Sequence, residues 1–490
     1  MIPSPLRDDI GTGILHLGLG AFHRAHQAAY TQDAVAVAGG DWGIEAVSMR
    51  NPALADALTA QGGRYTLIER HAEGPRLLDM SIIRRAWALP GNAARLVARM
   101  ADPSIRIVTI TVTEKGYGAD LAARRLNRAD AVVAHDLANR AAPRQSLVGH
   151  LVAGLAARRD AGASGLTVMS CDNLPENGTL LACLIRDFAA EVDPGLVDWI
   201  ERHCRFPDSM VDRITPAANE ATFAIAEAAL GCPDLGAIET EPFRQWVIED
   251  NFAGPRPQWE TAGAQLVRDV APFEMMKLRL LNGSHSLIAY LGALRGLPAV
   301  RDVMANAELG AVVRVFMRHA AATLPPNRGL DADAYAAALI ARFENRAIQH
   351  RCLQIAADGS QKMPQRIFAP ARERLETGGD ISAFALATAA WIRFLHGQDE
   401  TGARLDIKDP LADHLRRALQ DAGSKPQARV AALARVPGLA HGGVLDNRRF
   451  AERVAALLEV LDGDGTMAAV RAATQDDADA NRRPGGSRGH

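Results

Sequence analysis

Residues 13–23, GILHLGLGAFH, place a short apolar run directly before two closely spaced glycines. An apolar run that ends at such glycines predicts a buried strand followed by a helix. The glycines permit a tight turn and let the backbone approach a pyrophosphate, which the amide groups of the helix N-terminus can bind. The stretch therefore predicts a dinucleotide site formed by Gly18, Gly20, Ala21 and Phe22.

The glycine turn is a weak motif when it is taken alone. His23 stands where the usual G-x-G-x-x-G pattern has its third glycine, so a plain strand-to-helix turn explains the stretch equally well. The acid that normally binds the ribose is not obvious, because Glu45 lies inside the second predicted strand and that strand ends in SMRN (48–51). Arg50 can accept the 2′-phosphate of NADP, or it can be an ordinary surface arginine. The residues by themselves leave the choice of cofactor open; NAD is the expected cofactor, and NADP is not excluded.

Strand-like and helix-like segments alternate outward from this turn. Strands are expected at 13–19, 42–49, 65–69, 105–112 and 166–171, and helices near 23–38, 93–100 and 146–159. This alternation predicts an α/β fold with a doubly wound parallel sheet. After Pro272 the segments 277–297, 300–322, 331–348 and 381–397 are rich in alanine and leucine at helical spacing.

Three regions follow from this change in pattern. We predict a dinucleotide-binding domain over residues 1–276 and a mostly α-helical substrate and catalytic domain over 277–473. Residues 474–490, TQDDADANRRPGGSRGH, are polar and rich in glycine and arginine, and we predict a disordered tail there.

The composition excludes several functions. A formal net charge of −2 over 490 residues gives no overall electrostatic case for binding nucleic acid or a membrane. No apolar run approaches the roughly 18–20 residues of a spanning helix, and the first residues lack the features of a signal peptide. We therefore expect a cytoplasmic protein, a monomer or small homo-oligomer, that acts on a small molecule.

The cysteines and histidines do not predict a metal site. The five cysteines are odd in number, widely spread and without a C-x-x-C pair, which argues against a disulfide framework and a thiolate zinc site. Cys171 is expected to be a buried free thiol rather than a nucleophile. His16, His23 and His26 lie close together but flank the glycine turn and lack a cysteine partner, so we expect no metal.

The segment FEMMKLRLLNGSHSLIAY, residues 273–290, carries the strongest chemical signal. At 100° per residue, one face of a regular α-helix carries four polar residues, Glu274, Lys277, Asn282 and His285, and Arg279 points roughly the opposite way. Burying such polar groups in an otherwise apolar helix is costly without a purpose. The alternative is a polar stripe that faces solvent on a surface helix.

These residue types suit the reduction of a ketone by hydride. The reaction needs a proton donor for the developing alkoxide and polar donors that stabilise the oxyanion. A desolvated lysine can have its pKa lowered toward neutrality, so Lys277 is the expected acid or base. Asn282 can donate to the same oxygen, and His285 can bind a neighbouring hydroxyl. Asn173, in SCDNLPENG (170–178) after a predicted strand, can complete the pair of amides, although Asp-Asn before such a turn is usually turn chemistry.

Several segments resemble the polyol-specific long-chain dehydrogenases, which include mannitol 2-dehydrogenase, arabinitol dehydrogenase and fructuronate reductase. The resemblance covers roughly residues 13–440 and is highly specific in combination. Its segments are GLGAFHRAHQ (18–27), TVTEKGY (111–117), SCDNLPENG (170–178), FPDSMVDRITP (206–216), EPFRQWVIEDNF (241–252), MKLRLLNGSHS (276–286) and DGSQKMPQR (358–366). It implies a Rossmann-type N-terminal domain, a helical C-terminal domain and catalysis with a nicotinamide cofactor and no metal.

The resemblance also implies roles for individual residues. Lys277 matches the general acid/base of the family, and Asn173 and Asn282 match the asparagines that polarise the carbonyl. His285 falls at the position that contacts a substrate hydroxyl, and Lys362 matches a lysine that also contacts the substrate. For Lys277, Asn282 and His285 these roles agree with the shared helix face.

Further matches concern the cofactor and the substrate. Val211 and Asp212 match positions that line the cofactor and the site. EPFRQWVIEDNF and PFEMMKLRLLNGSHS are closer to the fructuronate reductase branch than to the mannitol branch. A uronate carboxylate needs a cationic partner, which Arg244 or Arg366 can supply unless either is an ordinary structural ion-pair residue.

The leading hypothesis is therefore reduction of fructuronate to mannonate, with mannitol–fructose or arabinitol–xylulose interconversion as the alternative. The second hypothesis, from a different class of function, is a catalytically silent NAD-sensing protein with the same fold, although a sensor has no need for the proton donor Lys277. A zinc-dependent alcohol dehydrogenase is the weakest of the three hypotheses.

Overall fold

The computed structural model describes residues 1–326, 329–347, 350–439 and 443–482. The chain divides into two compact units, Met1–Ala271 and Pro272–His490. The predicted boundary, between residues 276 and 277, lies slightly later in the chain. The difference arises because the short helix that leads into Lys277 is continuous with the helical segment that follows it.

The first unit contains all the strands assigned in the described part of the chain. They are β1 (Thr12–Leu17), β2 (Gly43–Ser48), β3 (Tyr65–His71), β4 (Gly74–Met80), β5 (Ile83–Ala88), β6 (Ile107–Ile110), β7 (Ala119–Asp120), β8 (Arg125–Leu126), β9 (Thr167–Ser170), β10 (Ser209–Asp212), β11 (Ile238–Thr240), β12 (Gln245–Glu249) and β13 (Gln265–Val267). Five of them form a parallel sheet in the order β5-β2-β1-β6-β9. His16 of β1 pairs in register with Ala46 of β2 and Thr109 of β6.

The parallel sheet is covered on both faces. Every residue of β2, β6 and β9 is buried, which is why these strands read as nearly continuous apolar runs. Successive side chains of a strand point to opposite faces. Leu15 and Leu17 accordingly belong to one hydrophobic cluster, and Ile14 belongs to the other. The predicted doubly wound sheet is confirmed.

Three smaller sheets complete the strands of the first unit. Their orders are β10-β12-β13, β11-β3-β4 and β7-β8. The predicted strand at 65–69 is β3, but it pairs antiparallel with β4 and parallel with β11, outside the main sheet. Strand β5, IRRAWA, was not predicted, because as an edge strand paired only with β2 it carries exposed polar residues.

The helices of the first unit are α1 (Ala21–Ala25), α2 (Gln27–Ala38), α3 (Ala53–Ala60), α4 (Ala93–Ala101), α5 (Ala131–Ala138), α6 (Leu147–Asp160), α7 (Asn177–Val192), α8 (Pro194–His203) and α9 (Glu220–Leu230). The helices expected near 93–100 and 146–159 are confirmed as α4 and α6. The single helix expected at 23–38 is instead two helices, because His26 has φ −115° and ψ −84° and breaks the helical backbone.

The second unit is helical. Its helices are α10 (Ala271–Met276), α11 (Gly283–Leu294), α12 (Val300–Met304), α13 (Ala307–Ala321), α14 (Ala332–Glu344), α15 (Cys352–Ala356), α16 (Gly359–Met363), α17 (Ala369–Glu376), α18 (Ser382–Phe394), α19 (Ala412–Ala422), α20 (Pro426–Ala434), α21 (Arg448–Gly463) and α22 (Thr466–Arg482). Every residue of α11 is buried, so this helix lies inside the unit. None of the described helices is both long and apolar enough to cross a membrane.

Two predicted segments of this unit differ in the structure. The helix expected at 300–322 is divided into α12 and α13, because the side chain of Asn306 caps the backbone N–H groups of Glu308 and Leu309. The prediction of a disordered tail is wrong for residues 474–482, which belong to α22. The preceding turn of this helix contains the buried Val470 and Ala473. Residues 483–490, and residue 348 at the end of the expected helix 331–348, lie outside the described residues.

Candidate active site

Gly18 makes the turn after β1 possible. Its φ is +107°, and a Cβ atom here would lie 2.0 Å from the carbonyl oxygen of Thr111, which follows β6. Only glycine allows this approach. Gly20 then occupies the N-cap position of α1, whose first residues are Ala21 and Phe22. The four predicted residues thus form a tight, backbone-lined turn at the carboxyl ends of the parallel strands.

His23, the residue in place of a third glycine, fills space inside the fold. Its ring stacks on that of His16, with 3.3 Å between centroids and 9° between planes. Burial lowers the pKa of His23 and lowers that of His16 to about 3. The Nε2 atom of His26 donates to the carbonyl oxygen of Gln245 at 2.8 Å. Among the described residues, no group of three or more His, Cys, Asp or Glu could hold a metal ion.

Glu45 is unable to bind a ribose. It is fully buried in β2, where its carboxylate accepts hydrogen bonds from Trp87 Nε1 at 2.7 Å, Arg99 Nε at 3.0 Å and Arg95 at 3.3 Å. Arg50, in contrast, is exposed just beyond the carboxyl end of β2. The predicted cofactor residues Val211 and Asp212 are buried in β10.

An acid that was not singled out from the sequence lies at the carboxyl ends of β6 and β9. The carboxylate of Asp172 accepts hydrogen bonds from the backbone N–H of Val112 at 2.9 Å, that of Thr113 at 3.2 Å and the hydroxyl of Tyr117 at 2.7 Å. Burial raises the pKa of Asp172, and these bonds oppose the rise. The sequence did contain a signal for Asp172, because the segments TVTEKGY and SCDNLPENG come at the ends of β6 and β9, which are neighbours in the sheet.

The residues on either side of Asp172 differ in exposure. Asn173 is exposed at the carboxyl end of β9, as a ligand-binding residue of a parallel sheet requires. Cys171 is fully buried, and burial raises the pKa of its thiol. The prediction of a buried free thiol is therefore confirmed, and all five cysteines are free.

In the second unit, Lys277 begins a π-helical turn, Lys277–Asn282, between α10 and α11. Backbone hydrogen bonds in a π-helix run from residue i to i+5, and such turns occur frequently at functional sites. The regular spacing of 100° per residue therefore does not hold across this segment, and Asn282 lies nearer the face of Lys277 than expected. Lys277 is 8 % exposed and His285 7 %, which excludes the solvent-facing stripe.

Arg279 has a structural role on the same turn. Its guanidinium forms a bidentate pair with Glu373, at 2.8 and 2.6 Å, and it also donates to the carbonyl oxygen of Thr323. The opposite direction predicted for this side chain agrees with these contacts.

His285 is surrounded by aromatic and cationic groups. Its ring lies 4.9 Å from that of His350, nearly perpendicular, and 4.7 Å from that of Phe343. Burial lowers the pKa of His285, and the charges of His350, Arg342 and Arg366 lower it further. Burial also lowers the pKa of His350 to about 4. Both imidazoles are therefore neutral near pH 7.

Arg366 lies on a second π-helical turn, Pro364–Phe368. Its Nη1 atom donates to the carbonyl oxygen of Asn282 at 3.3 Å and to Ser286 Oγ at 3.4 Å. Burial lowers the pKa of this guanidinium to about 10, and Tyr290 opposes the change. Within the described parts of the chain, Arg366 has no carboxylate partner.

The other candidate carboxylate-binding arginine is already paired. Arg244 Nη2 lies 2.6 Å from Asp33 Oδ2 and 3.2 Å from the carbonyl oxygen of Ala262, and its guanidinium lies 4.3 Å from the centre of the Tyr30 ring. These contacts favour the structural alternative for Arg244.

Lys362 precedes the second π-helical turn. Its Nζ atom donates to the carbonyl oxygens of Ala357 at 2.6 Å and Ile355 at 3.2 Å, and lies 4.0 Å from Asp358 Oδ2. Burial lowers the pKa of Lys362, and Arg366 lowers it further. The second unit thus offers an amine, a carboxamide, neutral imidazoles and an unneutralised guanidinium, which suit proton transfer and the binding of an anion.

Comparison with known proteins identifies the family. The chain belongs to the mannitol dehydrogenase family: the model of its Rossmann domain matches residues 12–261, and that of its C-terminal domain matches residues 269–462. D-mannonate oxidoreductase of Escherichia coli (strain K12) is 43 % identical and covers 94 % of this chain and 95 % of its own. Mannitol 2-dehydrogenase of Phaeosphaeria nodorum is 35 % identical and covers 96 % of this chain and 82 % of its own.

Solved structures agree with this assignment. Substrate-free D-sorbitol dehydrogenase superposes with a TM-score of 0.89 at 32 % identity, covering 96 % of this chain and 97 % of the other. Mannitol 2-dehydrogenase of Pseudomonas fluorescens, in a ternary complex with NAD and D-mannitol, gives a TM-score of 0.78 at 33 % identity, covering 97 % and 96 %. The predicted family and fold class are confirmed, and the chain is a polyol or hexuronate oxidoreductase.

Proposed function

We propose that this member of the mannitol dehydrogenase family is an NADH-dependent reductase that converts the open-chain ketone fructuronate to mannonate. The observation that carries the proposal is Arg366. Its guanidinium is half-buried beside Asn282; among the described residues it donates hydrogen bonds to a carbonyl oxygen and a hydroxyl and forms no ion pair. A largely desolvated cation without an acidic partner is costly. A uronate carboxylate would neutralise it through a charge-assisted pair, whereas a neutral ketose would not.

Lys277 is proposed as the proton donor. When it is bound, NADH supplies the hydride that reduces the carbonyl carbon. Lys277 Nζ gives its proton to the oxygen of that carbonyl, so the C=O bond becomes a C–OH bond. The burial of Lys277 supports this role, because desolvation favours the neutral amine that remains after transfer.

The two asparagines are proposed to hold the reacting oxygen. The side-chain amide of Asn282 has no hydrogen-bond partner among the described residues, so it can donate to a substrate oxygen. Asn173 is proposed as the second amide on the strength of the family match and its place at the carboxyl end of β9. His285 and Lys362 are proposed to bind substrate hydroxyls, since a neutral His285 offers an acceptor nitrogen.

The turn after β1 fits a dinucleotide. Glycine at position 18 permits the tight turn, because a Cβ atom there would lie 2.0 Å from the carbonyl oxygen of Thr111, and the N-terminus of α1 follows at once. We propose that Gly18, Gly20, Ala21 and Phe22 hold the pyrophosphate and that Val211 and Asp212 line the cofactor. The proposed mechanism uses no metal. The cytoplasmic location and the monomeric or small oligomeric state remain predictions from the sequence.

A substrate panel tests the proposal. The purified protein is mixed with NADH and fructuronate, tagaturonate, fructose or xylulose, and the loss of reduced-nicotinamide absorbance gives kcat/KM for each. We expect fructuronate to exceed the neutral ketoses by at least about 100-fold, the effect of one buried charge-assisted pair. If fructose or xylulose is reduced as efficiently as fructuronate, the mannitol or arabinitol alternative replaces the proposal.

A further inference from the structure

The first unit has a cavity of about 960 Å³ that the reaction at Lys277 does not use. Met49, which follows β2, and Leu89, which follows β5, lie in its wall. Residues of α4, α5 and α6 and the segment 140–145 complete it. The cavity therefore lies at the carboxyl ends of the parallel strands, where open α/β sheets bind nucleotides. This position suits the adenosine end of a nicotinamide cofactor.

The cavity wall is basic. Its charged side chains are Arg140 and Arg144, and it also contains His135 and His150, the second of which has a pKa lowered by burial. No Asp or Glu lies in the wall. The buried Asp136 is not in the wall, but its Oδ1 atom lies 3.3 Å from His135 Nδ1, and its carboxylate also accepts bonds from the backbone N–H and the hydroxyl of Ser146. Arg140 and Arg144 donate to the backbone carbonyl oxygens of Glu191 and Asp136 and form no ion pair with any described residue, so their positive charge predicts an anionic ligand.

A buried histidine supports the presence of a ligand. His150 is 3 % exposed, and its Nδ1 atom has no hydrogen-bond partner in the part of the chain that the structure describes. Buried polar atoms are normally paired, so an unpaired one in a cavity wall points to a polar group that binds there.

The end of β2 lacks the feature that selects NAD. An acid at this place in a dinucleotide-binding sheet bonds the ribose 2′-hydroxyl, and an arginine there accommodates a 2′-phosphate. Glu45 is held by Trp87 and Arg99 inside the sheet. The residues after Met49 are Arg50, which is exposed and forms no ion pair with any described residue, and Asn51. Nothing here repels a second phosphate.

We propose that Arg50, with Arg144 from the cavity wall, binds the 2′-phosphate of NADP(H), so that the enzyme takes NADPH as well as NADH. The proposal goes beyond the reduction of fructuronate, since it concerns the cofactor and holds for any sugar substrate. Binding without a sugar therefore tests it separately.

Calorimetry on the full-length protein provides the first test, with adenosine 2′,5′-bisphosphate and 5′-AMP as probes. We expect the bisphosphate to bind at least about tenfold more tightly, since a phosphate paired with arginine gains charge-assisted hydrogen bonds. Equal affinity for the two probes would overturn the proposal. This result would leave the assignment of fructuronate untouched.

Variants give the second test. Asn51→Asp keeps the acceptor that Asn51 Oδ1 offers to the backbone N–H of Ala53 at 2.9 Å, and adds a negative charge. We expect Asn51→Asp and Arg50→Gln each to lower the affinity for the bisphosphate by about tenfold and the affinity for 5′-AMP by less than about twofold. An equal loss for both probes contradicts the proposal.

A matched control is available on the same sheet. Arg85 of β5 is exposed and lies with Gly11 and Asp41 in a separate cavity near the amino ends of the strands. Arg85→Gln removes the same charge, and we expect both affinities to stay unchanged. If Arg85→Gln weakens the bisphosphate as much as Arg50→Gln does, the effect comes from net charge and the proposed site is wrong.

Discussion

Arg366 donates a hydrogen bond from Nη1 to the backbone carbonyl oxygen of Asn282 at 3.3 Å. The bond links two π-helical turns, Pro364–Phe368 and Lys277–Asn282, that lie far apart in the sequence. Each turn departs from the regular helix that its sequence favours. The departure brings the guanidinium, which has no acidic partner among the described residues, to the backbone of Asn282. Asn282 is proposed to hold the substrate carbonyl through its side chain, and it ends the turn that begins with the proposed proton donor.

Replacing Arg366 should separate anionic from neutral substrates. We expect Arg366→Gln to lower kcat/KM for fructuronate by about 100-fold, because glutamine cannot form a charge-assisted bidentate pair with the carboxylate. The value for fructose should change by less than about threefold. Steady-state assays with NADH measure both. Arg244→Gln is the control, and it should lower the melting temperature through loss of the Asp33 pair without changing this ratio. If Arg366→Gln lowers kcat/KM equally for fructuronate and fructose, Arg366 does not bind the carboxylate.

Replacing Lys277 should abolish proton transfer and spare cofactor binding. We expect Lys277→Met to lower kcat by about 10³-fold or more near neutral pH, within the range that general acid–base catalysis supplies. The affinity for NADH, measured by fluorescence titration, should stay within about threefold. The limb of the pH–rate profile due to the lysine should also vanish. A variant that keeps most of the wild-type rate would show that another group donates the proton.

The buried histidines of the first unit should make the protein sensitive to acid. The pKa values of His16 and His26 are about 3 in the folded state, below the ordinary 6.5 of the unfolded chain. The unfolded state therefore binds more protons between pH 6.5 and 3, and the free energy of unfolding falls as the pH falls through that window.

Urea unfolding at several pH values measures this slope. His16→Gln should make it shallower by up to about one proton, because glutamine does not titrate. The control is His203→Gln, at an exposed position, which should keep the wild-type slope. An unchanged slope for His16→Gln would show that His16 is not buried in neutral form.

Gly18 should tolerate no side chain. We expect Gly18→Ala to destabilise the first unit by more than about 3 kcal/mol, since it combines a φ of +107° with a Cβ atom 2.0 Å from Thr111 O. NADH binding should be lost. Gly62→Ala is the matched control, because φ is +64° there and nothing lies within 4 Å of the added atom. It should cost about 1 kcal/mol. Thermal unfolding and calorimetry with NADH distinguish the two.

Local sequence patterns determined much of the fold and part of the candidate site. The apolar runs at 13–19, 105–112 and 166–171 became strands of the main sheet, because burial on both faces imposes continuous apolar sequence. The glycine turn and the segment around Lys277 could also be recognised, because each pattern depends only on residues a few positions apart. The motifs also sufficed to identify the family.

Tertiary structure alone decided the features that depend on partners distant in the chain. Arg244 and Arg366 were equivalent in the sequence, and only folding placed Asp33 beside Arg244 and left Arg366 without an acidic partner among the described residues. The sequence also did not predict the π-helical turn at Lys277–Asn282, or that β3 belongs to a separate sheet. The physical reason is that periodicity and turn chemistry are local, whereas ion pairing, strand pairing and helix distortion are settled by the residues that packing brings together.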